Sequence, residues 1–516
     1  MSIKEAVVTI EKEKVLDLDV LAEKCELLRS EGRKIVHCHG VFDLLHIGHI
    51  WHLQEAKKWG DVLVVTITPD EFVNKGPHRP AFSHDLRSQQ LAALDVVDYV
   101  AVNKWPVATG AILTLRSDYY VKGPDYKNAK DDNTGKIVEE EEAVRSIGGK
   151  IVFTESNTYS ASTLINRHLS KQSQEAQDFL EGLRDKYSIS EIVGHVEKLQ
   201  DISVVVMGET IIDEYQYCEA IGKSSKEPTL VVKLQSRDVF PGGILSIGNH
   251  AEGFAGRVSV VSQVGQEARH GDFAKEALHS GIAQRLLVRH SAPTIIKRRY
   301  IDNYFFTKLF ETYEIDDASM SEDDENLLCE SVENEIDKHD LVLVADYGHG
   351  FFTDKVVDTV RRGAKFLAVN VQSNAGNLGY QSMIKYKGAD FFSVDENEIR
   401  IEARDRRGEI RSIISSVASE VETDMLVVTR GKNGSISYTS DDGFTVVPAF
   451  AGKVVDRVGA GDAFLTIASM CRFAGVPSDL VGFLGNLSGA QAVATVGNKK
   501  SISKLELIRA VESVLK

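Results

Sequence analysis

The sequence predicts an α/β protein of two domains, and three observations carry that expectation. Short apolar, β-branched runs alternate with stretches of helical spacing, a pattern that forces right-handed crossovers between parallel strands. At 516 residues the chain exceeds what a single hydrophobic core supports. A phosphate-handling signature occurs twice, once after an apolar strand-like run near the start and once ahead of an apolar helical stretch near the end. The first is Gly40-Val41-Phe42-Asp43-Leu44-Leu45-His46-Ile47-Gly48-His49, and the second is Asp456-Arg457-Val458-Gly459-Ala460-Gly461-Asp462-Ala463-Phe464. Both have the composition of a phosphate-handling turn.

In chain order, Leu16, Leu18, Leu21, Leu27 and Leu28 recur at helical spacing in a charged segment, which predicts an amphipathic lead-in helix. A strand at 34–37 feeds a helix over 47–59, which Gly60-Asp61 ends. Strands at 62–67, 99–102 and 119–121 then alternate with helices at 86–94 and 112–115. Ligands of such a sheet bind beyond the carboxyl ends of its strands, where His46, Asp70 and Lys122 fall. The acidic run 139–142 reads as a solvated helix start. These elements make a first domain, 1–168, followed by a polar, helix-favouring connector at 169–199. A second strand series at 202–208, 258–261, 341–345, 366–369, 391–394 and 426–429 builds the other domain, 200–516. No repeat relates the halves.

Composition excludes several classes of partner. A net charge of −16 argues against a nucleic-acid surface, which needs clustered Lys and Arg. Five scattered cysteines fit a reducing compartment, and Cys38 reads as a small buried hydrophobe. The opening Met1-Ser2-Ile3-Lys4-Glu5 lacks a signal pattern, and no apolar run is long enough to cross a bilayer. The expectation is a cytoplasmic protein with neither membrane nor nucleic-acid partner.

His46-x-x-His49 at a helix start places two imidazoles near backbone N–H groups that favour an anion. Imidazole donors there can stabilise the charge that builds on an α-phosphate during transfer. This stretch, with "LQEAKKWGDVLVV", "KGPHRP", "LAALDVVDYV" and "VKGPDY", resembles the nucleotidylyltransferase superfamily over about 33–168, especially that half of bifunctional heptose kinase/adenylyltransferases. The likeness implies a Rossmann-like nucleotidylyltransferase domain with His46, His49 and Lys57 as catalytic groups. It implies nucleotide contacts from Gly40, Phe42, Asp43 and Lys122, and from the turn Ser160, Ser162 and Thr163. Asp70, Lys75 and Arg87 would line the nucleotide or acceptor side. Class I aminoacyl-tRNA synthetases share the His-Ile-Gly-His signature, but the acidic chain lacks their basic tRNA surface.

In Gly459-Ala460-Gly461-Asp462, small residues open backbone N–H groups to a phosphate, and Asp462 can take the proton of an attacking hydroxyl. Over about 200–516 the sequence resembles the ribokinase-like (PfkB) carbohydrate kinases. That likeness implies a ribokinase-like α/β domain with Asp213, Gly242, Gly243 and Ser246 at the acceptor. Thr429, Gly431 and Asn486 would lie on the nucleotide side, and Glu398 would bear indirectly on Mg2+. Four departures stand out: Glu209 for the first Asp of a Gly-Asp opening, Ser246 for Asn, Asp395 for Asn, and Asn370-Val371-Gln372 for an Asp-Pro pair. They leave the triphosphate side intact and alter the acceptor side.

Together the two resemblances imply a bifunctional enzyme. One domain would phosphorylate a sugar or sugar phosphate with ATP, and the other would join a sugar phosphate to a nucleotide from CTP or ATP. The domain order is the reverse of that in the heptose enzyme. A homodimer is the expected assembly. The alternative is an active nucleotidylyltransferase carrying a kinase-like module kept for ligand binding or dimerisation.

Overall fold

The computed structural model describes residues 14–73, 80–123, 136–154, 173–316, 318–377, 379–452 and 454–515, which form two compact units spanning 1–171 and 172–511. Lys75, Ser160, Ser162 and Thr163 lie outside the described residues.

In the first unit, β1 (Ile35–Gly40), β2 (Val62–Ile67), β3 (Tyr99–Val102), β4 (Tyr119–Lys122) and β5 (Lys150–Phe153) pair in the order β3-β2-β1-β4-β5. Every pairing is parallel. Side chains alternate across β1, so Val36 and Cys38 join one core with Leu53 and Leu91, while Ile35 joins another with Leu21 and Leu115. Helices on both faces explain why β2 reads as an unbroken apolar run. The chain leaves β1 in opposite directions for its two neighbours, which opens a crevice at the carboxyl end of β1. The helix Ile47–Lys57 starts there.

The acidic run is solvated only in part. The acidic run belongs to the helix Lys136–Ser146, but Glu140 is 5% exposed and lies 2.7 Å from Lys122 Nζ. A carboxylate can be buried when a cation is buried against it.

The second unit holds β6 (Ser203–Gly208), β9 (Arg257–Val264), β10 (Ile282–Val288), β13 (Leu341–Asp346), β14 (Leu367–Val371), β15 (Phe391–Asp395), β16 (Met425–Thr429), β17 (Ser435–Thr439) and β18 (Gly443–Val447) in one sheet. Their order is β10-β9-β6-β13-β14-β15-β16-β17-β18, parallel as far as β16 and antiparallel beyond it. A separate sheet of β7 (Thr210–Lys223), β8 (Leu230–Gly243), β11 (Ile295–Asp302) and β12 (Thr307–Glu314) has the order β12-β11-β7-β8. The helices Gln174–Lys186 and Ile189–Lys198 occupy most of the expected connector and pack on this unit. Ala176, Leu180 and Leu183 are buried, and the Phe179 ring lies 6.2 Å from Phe450 and 6.3 Å from Phe483. Their polar composition reflects a single apolar stripe, which is all that a surface helix needs.

Candidate active sites

At the carboxyl end of β1 the chain turns through Phe42 in the left-handed region, φ 48°. A Cβ on Gly40 would come within 3.0 Å of the Phe42 ring, so glycine lets that ring fold back. Phe42 then meets His49 edge-on at 5.2 Å, and His49 stacks on His46 at 3.9 Å. His46 caps the helix Ile47–Lys57, its Nδ1 accepting from the Gly48 N–H at 3.2 Å. An accepting Nδ1 puts the proton of the neutral ring on Nε2. That atom is buried with no hydrogen-bond partner among the described residues, and burial lowers the ring's pKa. A neutral donor therefore stands at a positive helix end.

The loops around this site are keyed together. Asp43 Oδ1 accepts from the N–H groups of Ala81, at 2.6 Å, and Phe82, at 3.2 Å. Arg87, fully buried, donates to Val41 O, to Thr68 O at 2.8 Å, to Phe82 O at 3.0 Å and to Asp70 at 2.6 Å. Against the effect of burial, the bonds from Arg87 and His84 hold the Asp70 carboxyl below its usual range. Arg87 and Asp70, expected to bind phosphate or acceptor, are bonded to each other, and Arg87 braces the loops at the carboxyl ends of β1 and β2. Lys122 is likewise ion-paired, to Glu140.

Lys57 is not brought to this site. It lies in the last turn of the helix that His46 caps, and its Nζ donates to Asp61 O at 2.8 Å and to Asp98. Ten residues of helix separate the ends by about 15 Å. Sequence reasoning also passed over His39, whose ring is held by Thr66 at 2.8 Å and Thr68 at 3.2 Å. The signal was present: a second imidazole near the carboxyl end of an otherwise apolar strand.

In the second unit, Gly459 (φ 83°) starts the helix Ala460–Phe473, and no side chain caps it. Its first-turn N–H groups, beside Ala460 and Gly461, are thus available to an anion. A Cβ on Gly459 would lie 2.0 Å from Asn498 Oδ1, which enforces glycine. Asp462 is 9% exposed, and its Oδ1 accepts from the Tyr347 hydroxyl at 3.1 Å. Burial pushes this carboxyl up to about 6, opposed by the Tyr347 bond and assisted by the charge of Asp213. Across the site, Asp213 pairs with Arg299, and a Cβ on Gly242 would fall 2.4 Å from Asp213 Oδ2. Gly243 (φ 54°) turns the chain into the helix Ile244–Glu252. Lys297 and Arg299 share one face of β11, beside Asp213 and Tyr215 of β7. The Lys297 ammonium lies 5.8 Å from the Tyr347 ring centre, and burial lowers its pKa. Lys297, Arg299 and Tyr347 are the groups that sequence reasoning did not assign; the pair spacing on β11 was the readable sign.

Other expected residues are occupied structurally. Ser246, fully buried, meets His250 of its own helix at 3.2 Å. Asn486 Nδ2 donates to Ser435 Oγ (3.2 Å), Val447 O (3.1 Å) and Pro448 O (3.0 Å), a clamp on the β17–β18 hairpin. Thr429 and Gly431 lie at the end of β16, the threonine hydroxyl 3.4 Å from Val394 O. Glu398 accepts from Ser373 N at 3.0 Å and Asp395 N at 2.6 Å, closing a capping box with Asp395. Both its oxygens are engaged, and burial pushes it up to about 7. Among the described residues no group of three His, Cys, Asp or Glu side chains could hold a metal ion. These residues do not make a protein cage for Mg2+.

A large mixed sheet, a small sheet beside its carboxyl edge and a carboxylate in the first turn of an uncapped helix define a ribokinase-like fold. Phosphofructokinase-2 from Escherichia coli, solved in complex with potassium, matches it with a TM-score of 0.50 at 11% identity, covering 61% of this chain and 100% of that one. Residues 201–505 match the pfkB family of carbohydrate kinases, and the chain belongs to that family. Residues 37–168 match the cytidylyltransferase-like family. Among curated proteins, the bifunctional protein HldE of Geobacter sulfurreducens is 39% identical over 140 residues, 27% of each chain. HldE of a Bradyrhizobium species is 27% identical over 318 residues, 60% of this chain and 63% of that protein. The chain thus spans about a quarter of the first relative and under two thirds of the second, and its domain order is swapped relative to theirs.

Proposed function

We propose that this chain is a bifunctional enzyme whose second domain phosphorylates a hydroxyl of a sugar or sugar phosphate with ATP. Its first domain transfers a nucleotidyl group from CTP or ATP to a sugar phosphate, releasing pyrophosphate and yielding an activated sugar for surface glycans. The observation that carries this reading is the buried Asp462 carboxylate in the first turn of an uncapped helix. Asp462 takes the acceptor's hydroxyl proton as that oxygen bonds the γ-phosphorus and the bond to the β-phosphate oxygen breaks. The helix N-terminus stabilises the charge that develops on the transferred group. Mg2+ would enter as the counter-ion of the ATP phosphates. In the first domain, the neutral His46 and its stacked partner His49 donate to the α-phosphate as the sugar phosphate oxygen attacks it.

The same reading places the protein in the cytoplasm, supported by five buried, unpaired cysteines. It makes the chain a homodimer, supported by Ile221, Leu230, Leu234 and Phe310 exposed on the small sheet, and sedimentation would measure that directly.

The full-length protein should transfer label from γ-labelled ATP to one member of a panel of pentoses, hexoses, polyols and heptose 7-phosphate. With a sugar phosphate and each NTP in turn, mass spectrometry should find one nucleotide sugar with pyrophosphate. Pyrophosphate release without label transfer to any acceptor would leave only the nucleotidyl half standing.

A further inference from the structure

We propose that Tyr347 is a positioning residue for phosphoryl transfer: its hydroxyl holds the Asp462 carboxylate in one orientation and favours its ionised form. The inference rests on the reading of Asp462 as the base.

Tyr347 is 3% exposed, and its hydroxyl donates to Asp462 Oδ1 at 3.1 Å. The other oxygen, Oδ2, has no hydrogen-bond partner among the described residues, which leaves it open to take an acceptor's proton. A single donor on one oxygen fixes the plane of the carboxylate and leaves one lone pair for the reaction.

The main chain of Tyr347 is held from both sides. Its N–H donates to Glu209 Oε2 at 3.1 Å, and the N–H of His349 donates to Oε1 of the same carboxylate at 2.9 Å. Its carbonyl accepts from Asn374 Nδ2 at 2.7 Å and Asn377 Nδ2 at 3.0 Å. Between these brackets Gly348 adopts φ 73°, where a Cβ would lie 2.5 Å from both Asn377 Nδ2 and Gln381 Cγ. Two of the departures from the family pattern therefore meet here. Glu209, one methylene longer than Asp, reaches two backbone N–H groups. The loop that follows Asn370-Val371-Gln372 supplies the two asparagines. Three hydrogen bonds to the Tyr347 main chain, a fourth that ties His349 to the same carboxylate and a close-packed glycine are devoted to placing one phenol.

The charged groups facing Asp462 are Asp213 from β7 and Lys297 from β11, with Arg299 paired to Asp213 and Glu209 behind Tyr347. Burial and the Asp462 charge push the phenol well above its usual range, so it remains a donor at any working pH. A donor to the charged form lowers a carboxyl pKa, and its removal raises it.

The test is a pH titration of full-length protein carrying 13C at the aspartate carboxyl carbons, with the Asp462 signal assigned by its loss in Asp462→Asn. In Tyr347→Phe the Asp462 midpoint should move up by about one pH unit. Asn374→Ala, which loosens the carbonyl clamp and keeps the ring, should move it in the same direction. This second variant decides the matter if Tyr347→Phe does not fold. An unchanged midpoint in the folded variants overturns the proposal. Label transfer from ATP that survives in Asp462→Asn would instead overturn the assignment of the base, so the two failures are separable.

Discussion

The two sites both sit at the start of a helix on the carboxyl side of a parallel sheet, yet they treat their reacting groups in opposite ways. His46 and His49 are half-buried rings held by stacking and by one backbone N–H. Asp462 is almost fully buried and held by the phenol of Tyr347, whose main chain makes three hydrogen bonds, to Glu209, Asn374 and Asn377. The difference suits the work that the proposed function asks of each. A donor to a phosphate needs its proton and a favourable field, and burial that keeps imidazole neutral does not remove that proton. A base needs a carboxylate that is ionised but ready to accept, and burial raises its proton affinity toward the working range.

The largest effect should come from breaking the second site. Asp462→Asn should lower phosphoryl transfer by about 10²–10⁴-fold. Pyrophosphate release from supplied sugar phosphate should stay near normal, because the two groups belong to different sheets. Loss of both activities in a folded variant would mean that the sites are not independent. Next, His46→Ala or His49→Ala should slow nucleotidyl transfer by about 10²–10³-fold, with a much smaller change in NTP affinity. Wild-type turnover in both variants would make the histidine pair structural. The smallest effect separates Lys57 from both sites. Lys57→Met should leave nucleotidyl transfer unchanged and cost about 1 kcal/mol of stability or less, read by thermal melting. A large fall in kcat would return Lys57 to the catalytic group.

The same contrast marks what was legible in the sequence. Strands covered on both faces, such as Val62–Ile67 and Ser203–Gly208, read as apolar runs with nearly correct ends. The small sheet was not read, because β8 and β12 mix charged with apolar residues and are largely exposed. The glycine turns announced both helix starts. Lys57 misled because closeness in sequence along a helix is distance in space. The sequence also could not show the partners of Arg87 and Lys122, because Asp70, Thr68 and Glu140 are joined to them only by tertiary folding. Tyr347 follows closely on the strand read at 341–345, but nothing in the residue type says that its hydroxyl would reach Asp462.

The buried guanidinium of Arg87 has a dynamic consequence. It ties a carbonyl after β1, another after β2 and a third just ahead of its own helix, while Asp43 pins the last of these segments a second time. Three segments on two connections, the one after β1 and the one between β2 and the helix His84–Ala92, thus share one keystone, so none can shift without stranding a buried cation. The described segments around Arg87 should therefore behave as a single cooperative unit and exchange their amide protons together.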